Sequence, residues 1–73
     1  MRGKQDRYFL NIRQLQLDLQ LSNMEMGMRL VIPVSSYVMY KKSGIITLKI
    51  LRKFYNAFGQ NKIKKYLTME ELK

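Results

Sequence analysis

Between Ile45 and Phe58 the apolar residues Leu48, Leu51, Phe54, Tyr55 and Phe58 recur three and four positions apart, which places them on one face of a helix. Lys49, Arg52, Lys53 and Asn56 fall on the opposite face. Thr47 has a hydroxyl that can cap the helix start, and Gly59 stands where helices end in the left-handed conformation. So amphipathic a segment has to bury its apolar face, and the rest of a 73-residue chain must supply the opposing surface. At this length one small core is what the chain can build, with little depth for a substrate pocket.

Composition narrows the chemistry. The chain has no Cys and no His, so it forms no disulfide, thiolate nucleophile, imidazole base or Cys/His zinc site. Of its five carboxylates only Glu70 and Glu71 are neighbours in sequence. An enzyme is not expected, and no catalytic residue, cofactor or metal is assigned. Apolar runs such as Leu30 to Val34 fall far short of the roughly 20 residues of a membrane helix. No signal-length apolar stretch follows the charged residues Met1 to Arg7, so a cytoplasmic protein without membrane contact is expected.

The net charge of +9 points to an anionic partner. Residues 1–20 carry +2, residues 21–40 carry zero and residues 41–73 carry +7, so an apolar, neutral middle is flanked by basic ends. An apolar fraction of 47% argues for a folded core rather than a disordered basic tail.

The first half carries two patterns at once. Leu15, Leu17, Leu19 and Leu21 alternate with polar residues, the period of a half-buried strand, and Arg29 to Tyr40 is rich in Val, Ile and Tyr. In that reading Lys41 to Gly44 closes a hairpin onto Ile45 to Ile50, and the fold is a small α+β unit. Yet Ile12, Leu15 and Leu19 also share one helical face, Ser22 followed by Glu25 is a capping-box signature, and Pro33 suits the first turn of a helix. A shorter helix is expected from Lys62 to Leu67, with Thr68 capping a final turn over Met69 to Leu72.

The stretch from Ile12 to Gly59 resembles the helix-turn-helix domain of the Cro and phage-repressor class. The resemblance rests on the Leu21–Ser22 step after the first helix, then Met26, Gly27, Leu30 and Ile32 through the turn. It continues through Tyr37 and Tyr40 on the next helix and Thr47, Leu48, Leu51, Phe54, Ala57, Phe58 and Gly59 on the one after. The small Gly27 answers a steric requirement, because two helices cross closely there. The resemblance implies an all-α bundle of about five short helices, with a small α+β fold as the alternative. It divides the chain into a basic N-terminal arm over 1–8, the helix-turn-helix domain over 9–68 and a C-terminal turn or tail over 69–73.

It also implies a dimeric, sequence-specific regulator on double-stranded DNA. Base edges would meet Val34, Ser35, Ser36, Val38 and Met39, with Pro33 at the start of the same surface. Phosphates would meet Asn23, at an open helix N-terminus, Arg29, and then Lys41, Lys42, Ser43 and Thr47 in the loop after the recognition helix. Two features depart from the pattern. Val31 stands where the turn usually has Gly, and the base-facing positions lack the Arg, Lys, Asn or Gln that make bidentate contacts. Met24, Met28, Val38 and Met39 would form an apolar patch on that face, which supports a protein-binding module, contacting another regulatory protein, as the alternative function. A second alternative is a basic subunit of a nucleoprotein complex.

Overall fold

The amphipathic segment forms helix α4 (Leu48–Phe58), which buries Ile50, Leu51 and Phe54, in a computed structural model that describes residues 7–68. The Thr47 hydroxyl accepts the Ile50 N–H at 3.4 Å, and Gly59 follows the helix at φ +98° with its N–H on the Tyr55 carbonyl. The helix starts later than its apolar period suggests. Gly44, at φ +74°, ends the preceding helix and releases Ile45–Thr47 as a short strand, β2.

That strand corrects the all-α expectation. Strand β1 (Arg7–Leu10) lies between β2 and β3 (Leu67–Thr68) in an antiparallel three-stranded sheet. Arg7 stands opposite Thr47, Tyr8 opposite Ile46, and on the other edge Leu10 opposite Leu67. The fold is mostly helical with a small sheet. Arg7 and Tyr8, expected in a basic arm, are strand residues, while the rest of 1–8 lies outside the described residues.

Helix α1 (Ile12–Leu19) resolves the alternating leucines in favour of the helical period. Leu15 is buried and Leu19 half-buried, while Leu17 is 69% exposed, so the two-residue alternation of a strand does not describe which leucines face the core. The Asn11 side chain caps this helix by accepting the Gln14 N–H. Helix α2 (Asn23–Leu30) begins with the expected capping box: Ser22 Oγ accepts the Glu25 N–H at 3.1 Å and Glu25 Oε1 accepts the Ser22 N–H at 2.8 Å. Val31 and Ile32 lead through Pro33 into α3 (Val34–Ser43), so Lys41, Lys42 and Ser43 belong to the last turn of a helix and not to the loop in which they were expected. Helix α5 (Gln60–Lys64) replaces the expected Lys62 to Leu67 helix because Leu67 and Thr68 pair with β1. Thr68 is therefore a strand residue, and the Met69 to Leu72 turn lies outside the described residues.

The core is built from every helix. Leu15, Met26, Tyr37, Ile46, Phe54 and Ile63 are among its fully buried members. Tyr66, beyond α5, donates its hydroxyl proton to Asp18 on α1, and the Gln14 side chain donates to the same carboxylate. The Tyr66 hydrogen bond is the larger cause that holds the Asp18 carboxyl below its ordinary range, and the same bond raises the Tyr66 phenol.

Val31 closes α2 in the left-handed region, at φ +59° and ψ +49°. For a residue with a Cβ this conformation costs roughly 1–2 kcal/mol, and a β-branched side chain is among the least suited to it. Because Val31 is 78% exposed, Gly can replace it without loss of packing. Val31→Gly is expected to stabilise the fold by about 0.5–1 kcal/mol once the greater chain entropy of Gly is subtracted. The measurement is the urea midpoint, and a lower midpoint in the variant would show that the valine makes contacts outweighing its strain.

Candidate functional site

Helix α3 turns one face inward and leaves one outward. Tyr37 is fully buried and Tyr40 half-buried, whereas Val34, Ser35, Val38, Met39 and Lys42 are exposed and follow the spacing of a single helical face. Ser36 is half-buried at the border of that face. The helix is held in place by its crossing with α2. A Cβ added at Gly27 would lie 3.1 Å from the Ile32 carbonyl oxygen and 3.4 Å from Val34 Cα, so the absence of a side chain allows the start of α3 to sit against α2.

A polar network ties this pair of helices to α1. Gln16 Oε1 accepts both the Tyr37 hydroxyl and, at 3.1 Å, the Lys41 ammonium. Lys41 Nζ also donates to Asn23 Oδ1 at 2.7 Å and lies 5.7 Å from the centre of the Tyr37 ring. Gln16 Nε2 completes the set by donating to the Leu21 carbonyl at 2.9 Å. Burial pushes the Tyr37 phenol up to about 12, so its hydroxyl remains a proton donor throughout the physiological range. Asn23 and Lys41, expected as separate phosphate contacts, are thus one joined unit. Gln16 was not among the expected site residues, because a polar residue between leucines on α1 gives no local sign that its partners lie 21 and 25 positions away.

The N-terminus of α2 differs from expectation. The capping box occupies the Ser22 and Glu25 amides and places a carboxylate there. Hydrogen bonds from Ser22 hold the Glu25 carboxyl below its ordinary range and therefore charged, which opposes an incoming anion. Arg29, one helical turn further along, is exposed.

On the opposite flank of α3 the sheet contributes a residue missed by sequence reasoning. The pairing of β1 with β2 sets Arg7 opposite Thr47. Arg7 then joins Met39, Tyr40, Ser43, Ile45, Ile46 and Thr47 around a shallow groove of about 360 Å³. Ser43 Oγ and Thr47 Oγ1 accept the backbone N–H groups of Ile45 and Ile50, and each hydroxyl keeps a proton to donate. Asp18 and Glu25 are the only carboxylates among the described residues, and both are engaged elsewhere. Arg7 and Lys42 therefore keep their positive field, whereas Glu25, beside Asn23 and coupled to Arg29, offsets part of it on the Lys41 flank.

Met24, Met28 and Val31 line one strip of α2 and are 64%, 71% and 78% exposed. Met39 lies across α3, on the Arg7 side. The four residues expected as one patch, Met24, Met28, Val38 and Met39, are all exposed, two on α2 and two on the outward face of α3. Lys49 and Arg52 occupy the outer face of α4.

No helix among the described residues is long and apolar enough to cross a membrane. Comparison with known proteins found no matching family model, no matching curated sequence and no matching solved structure.

Proposed function

We propose that α2 and α3 form a helix-turn-helix and that the protein binds double-stranded DNA, with α3 in the major groove, as a dimeric regulator of phage or mobile-element type. The observation that carries this reading is the outward face of α3, projected by the close Gly27 crossing and flanked by cations on both sides. Val34, Ser35, Ser36, Val38 and Met39 face the bases. On one flank the Lys41–Asn23 unit reaches the phosphate backbone, with Arg29 beyond it. On the other flank Arg7, Lys42, Ser43 and Thr47 do so. Such contacts give affinity and orientation without sequence information, so the bases must be distinguished by the α3 face itself.

Fluorescence anisotropy on labelled duplexes at two salt concentrations tests this reading. The double substitution Arg7→Ala with Lys42→Ala is expected to weaken binding about tenfold or more on every sequence and to lower the salt slope by about one per lost phosphate contact. Lys41 is left in place because its loss would also disturb Gln16 and Asn23. Equal affinity and slope in the variant would remove the phosphate roles assigned here.

The exposed Met24, Met28 and Val31 strip supports a second reading, a module that grips another regulatory protein. A complete lack of salt-dependent DNA binding by the unsubstituted protein would favour it.

A further inference from the structure

The outward face of α3 has an unusual chemistry for a surface that meets bases. Val34, Ser35, Val38 and Met39 occupy its first turns, and Lys42 stands at its C-terminal end. No Arg, Asn, Gln, Asp or Glu lies on this helix, so the side chains that take adenine or cytosine and the guanidinium that takes guanine are absent, and Lys42, at the far end of the face, is the one side chain there that can reach guanine acceptors. Apolar side chains pressed onto the polar edges of G·C pairs would desolvate acceptors and donors without replacing their hydrogen bonds. One apolar group is displayed in the major groove, the C5-methyl of thymine.

Resting on the DNA-binding reading above, we propose that α3 selects duplexes by their thymine methyl groups. Val34 and Val38 are one turn apart, about 6 Å along the helix, close to two base-pair steps of about 3.4 Å. They meet methyls two steps apart while Met39, flexible and 57% exposed, reaches a third. Ser35 donates or accepts and so tolerates either base. Charge complementarity identifies the occupant: the apolar stripe lies between Lys41 on one side and Arg7 on the other, an arrangement suited to a groove walled by two phosphate strands. The site would accept 5-methylcytosine, whose methyl occupies the same place.

The test measures affinity for an alternating dA–dT duplex and for the same duplex with deoxyuridine in place of thymidine, which removes the methyls and leaves every phosphate and hydrogen-bonding edge. At about fourfold per buried methyl, two or three contacts predict a loss of roughly 15- to 60-fold on the deoxyuridine duplex. An alternating G·C duplex should bind more tightly when its cytosines are 5-methylated. Val34→Ser with Val38→Ser, both surface changes whose folding is checked by circular dichroism, should narrow the difference between thymidine and deoxyuridine duplexes to the roughly fourfold that Met39 supplies. Equal, salt-dependent binding of both duplexes by the unsubstituted protein would overturn the methyl readout and leave DNA binding standing. No binding to either duplex at low salt would overturn both and assign the apolar face to a protein partner.

Discussion

Phe54→Ala is expected to cost about 3–5 kcal/mol, the usual penalty for removing a fully buried ring from a core that cannot collapse around the space. Phe54 has no exposed surface, and its ring lies 6.3 Å from that of Phe58 on the same helix. A domain of this length has roughly 4–10 kcal/mol of stability in all. The variant should therefore be largely unfolded or melt far below the parent. Far-ultraviolet circular dichroism across a urea titration reads the change directly. A midpoint close to that of the parent protein would mean that α4 contributes much less to the core than its burial implies.

The second large effect is expected at Gly27. Placing Val there puts a Cβ 3.1 Å from the Ile32 carbonyl oxygen, and the added methyls crowd the backbone at the start of α3. Overpacking of this kind typically costs 1–3 kcal/mol, and here the obstacle is main chain, which cannot move aside as a side chain can. Gly27→Ala makes the graded control, because a single methyl meets the same contact while alanine recovers about 1 kcal/mol of helix propensity. The expected order of urea midpoints is parent and Ala close together, Val well below. If α3 reads DNA as proposed, the Val variant should also lose DNA affinity in proportion to the displacement of α3. A Val variant as stable as the parent would show that α2 and α3 do not cross as closely as Gly27 requires.

Residue type and spacing anticipated several local features of this site. Ser22 and Glu25 form their capping box, Thr47 caps α4, and Gly27 lies at a close helix crossing. Each of these depends on residues within a few positions of one another, which is the range over which residue type and spacing carry a signal. Val31 was identified as out of place in a left-handed turn, and it adopts that conformation nonetheless. The surrounding packing, with Met26, Leu30 and Tyr37 buried on either side of the turn, outweighs the local preference of one exposed residue.

The features that escaped sequence reasoning are all long-range. Gln16 reads as one polar residue among leucines until Tyr37 and Lys41 are brought to it. Its network converts Lys41 from a loop cation into a tethered one and makes Asn23 its acceptor. Arg7 belongs to a charged N-terminal stretch by composition, yet β1 pairing delivers it to the far flank of α3 opposite Thr47. The sheet was legible only as the α+β alternative, which places a strand from Ile45 but pairs it across Lys41 to Gly44 with Arg29 to Tyr40, whereas its partner is β1. Its strands are two to four residues long, too short for an alternating pattern to emerge, and its pairings join chain segments about forty residues apart or more.

Taken by itself, the sequence determined the amphipathic face of α4 and its caps, the start of α2, the cationic excess and the lack of Cys and His chemistry. These follow from residue identity and from the 3.6-residue period, which any chain of this composition expresses locally. Only the tertiary structure decided that Ile45–Thr47 pairs with β1, that Arg7 flanks α3, and that Gln16 joins Lys41 to Tyr37. Those outcomes depend on which distant groups satisfy one another once the core has closed, because a buried polar atom or an open strand edge takes its partner from space rather than from sequence.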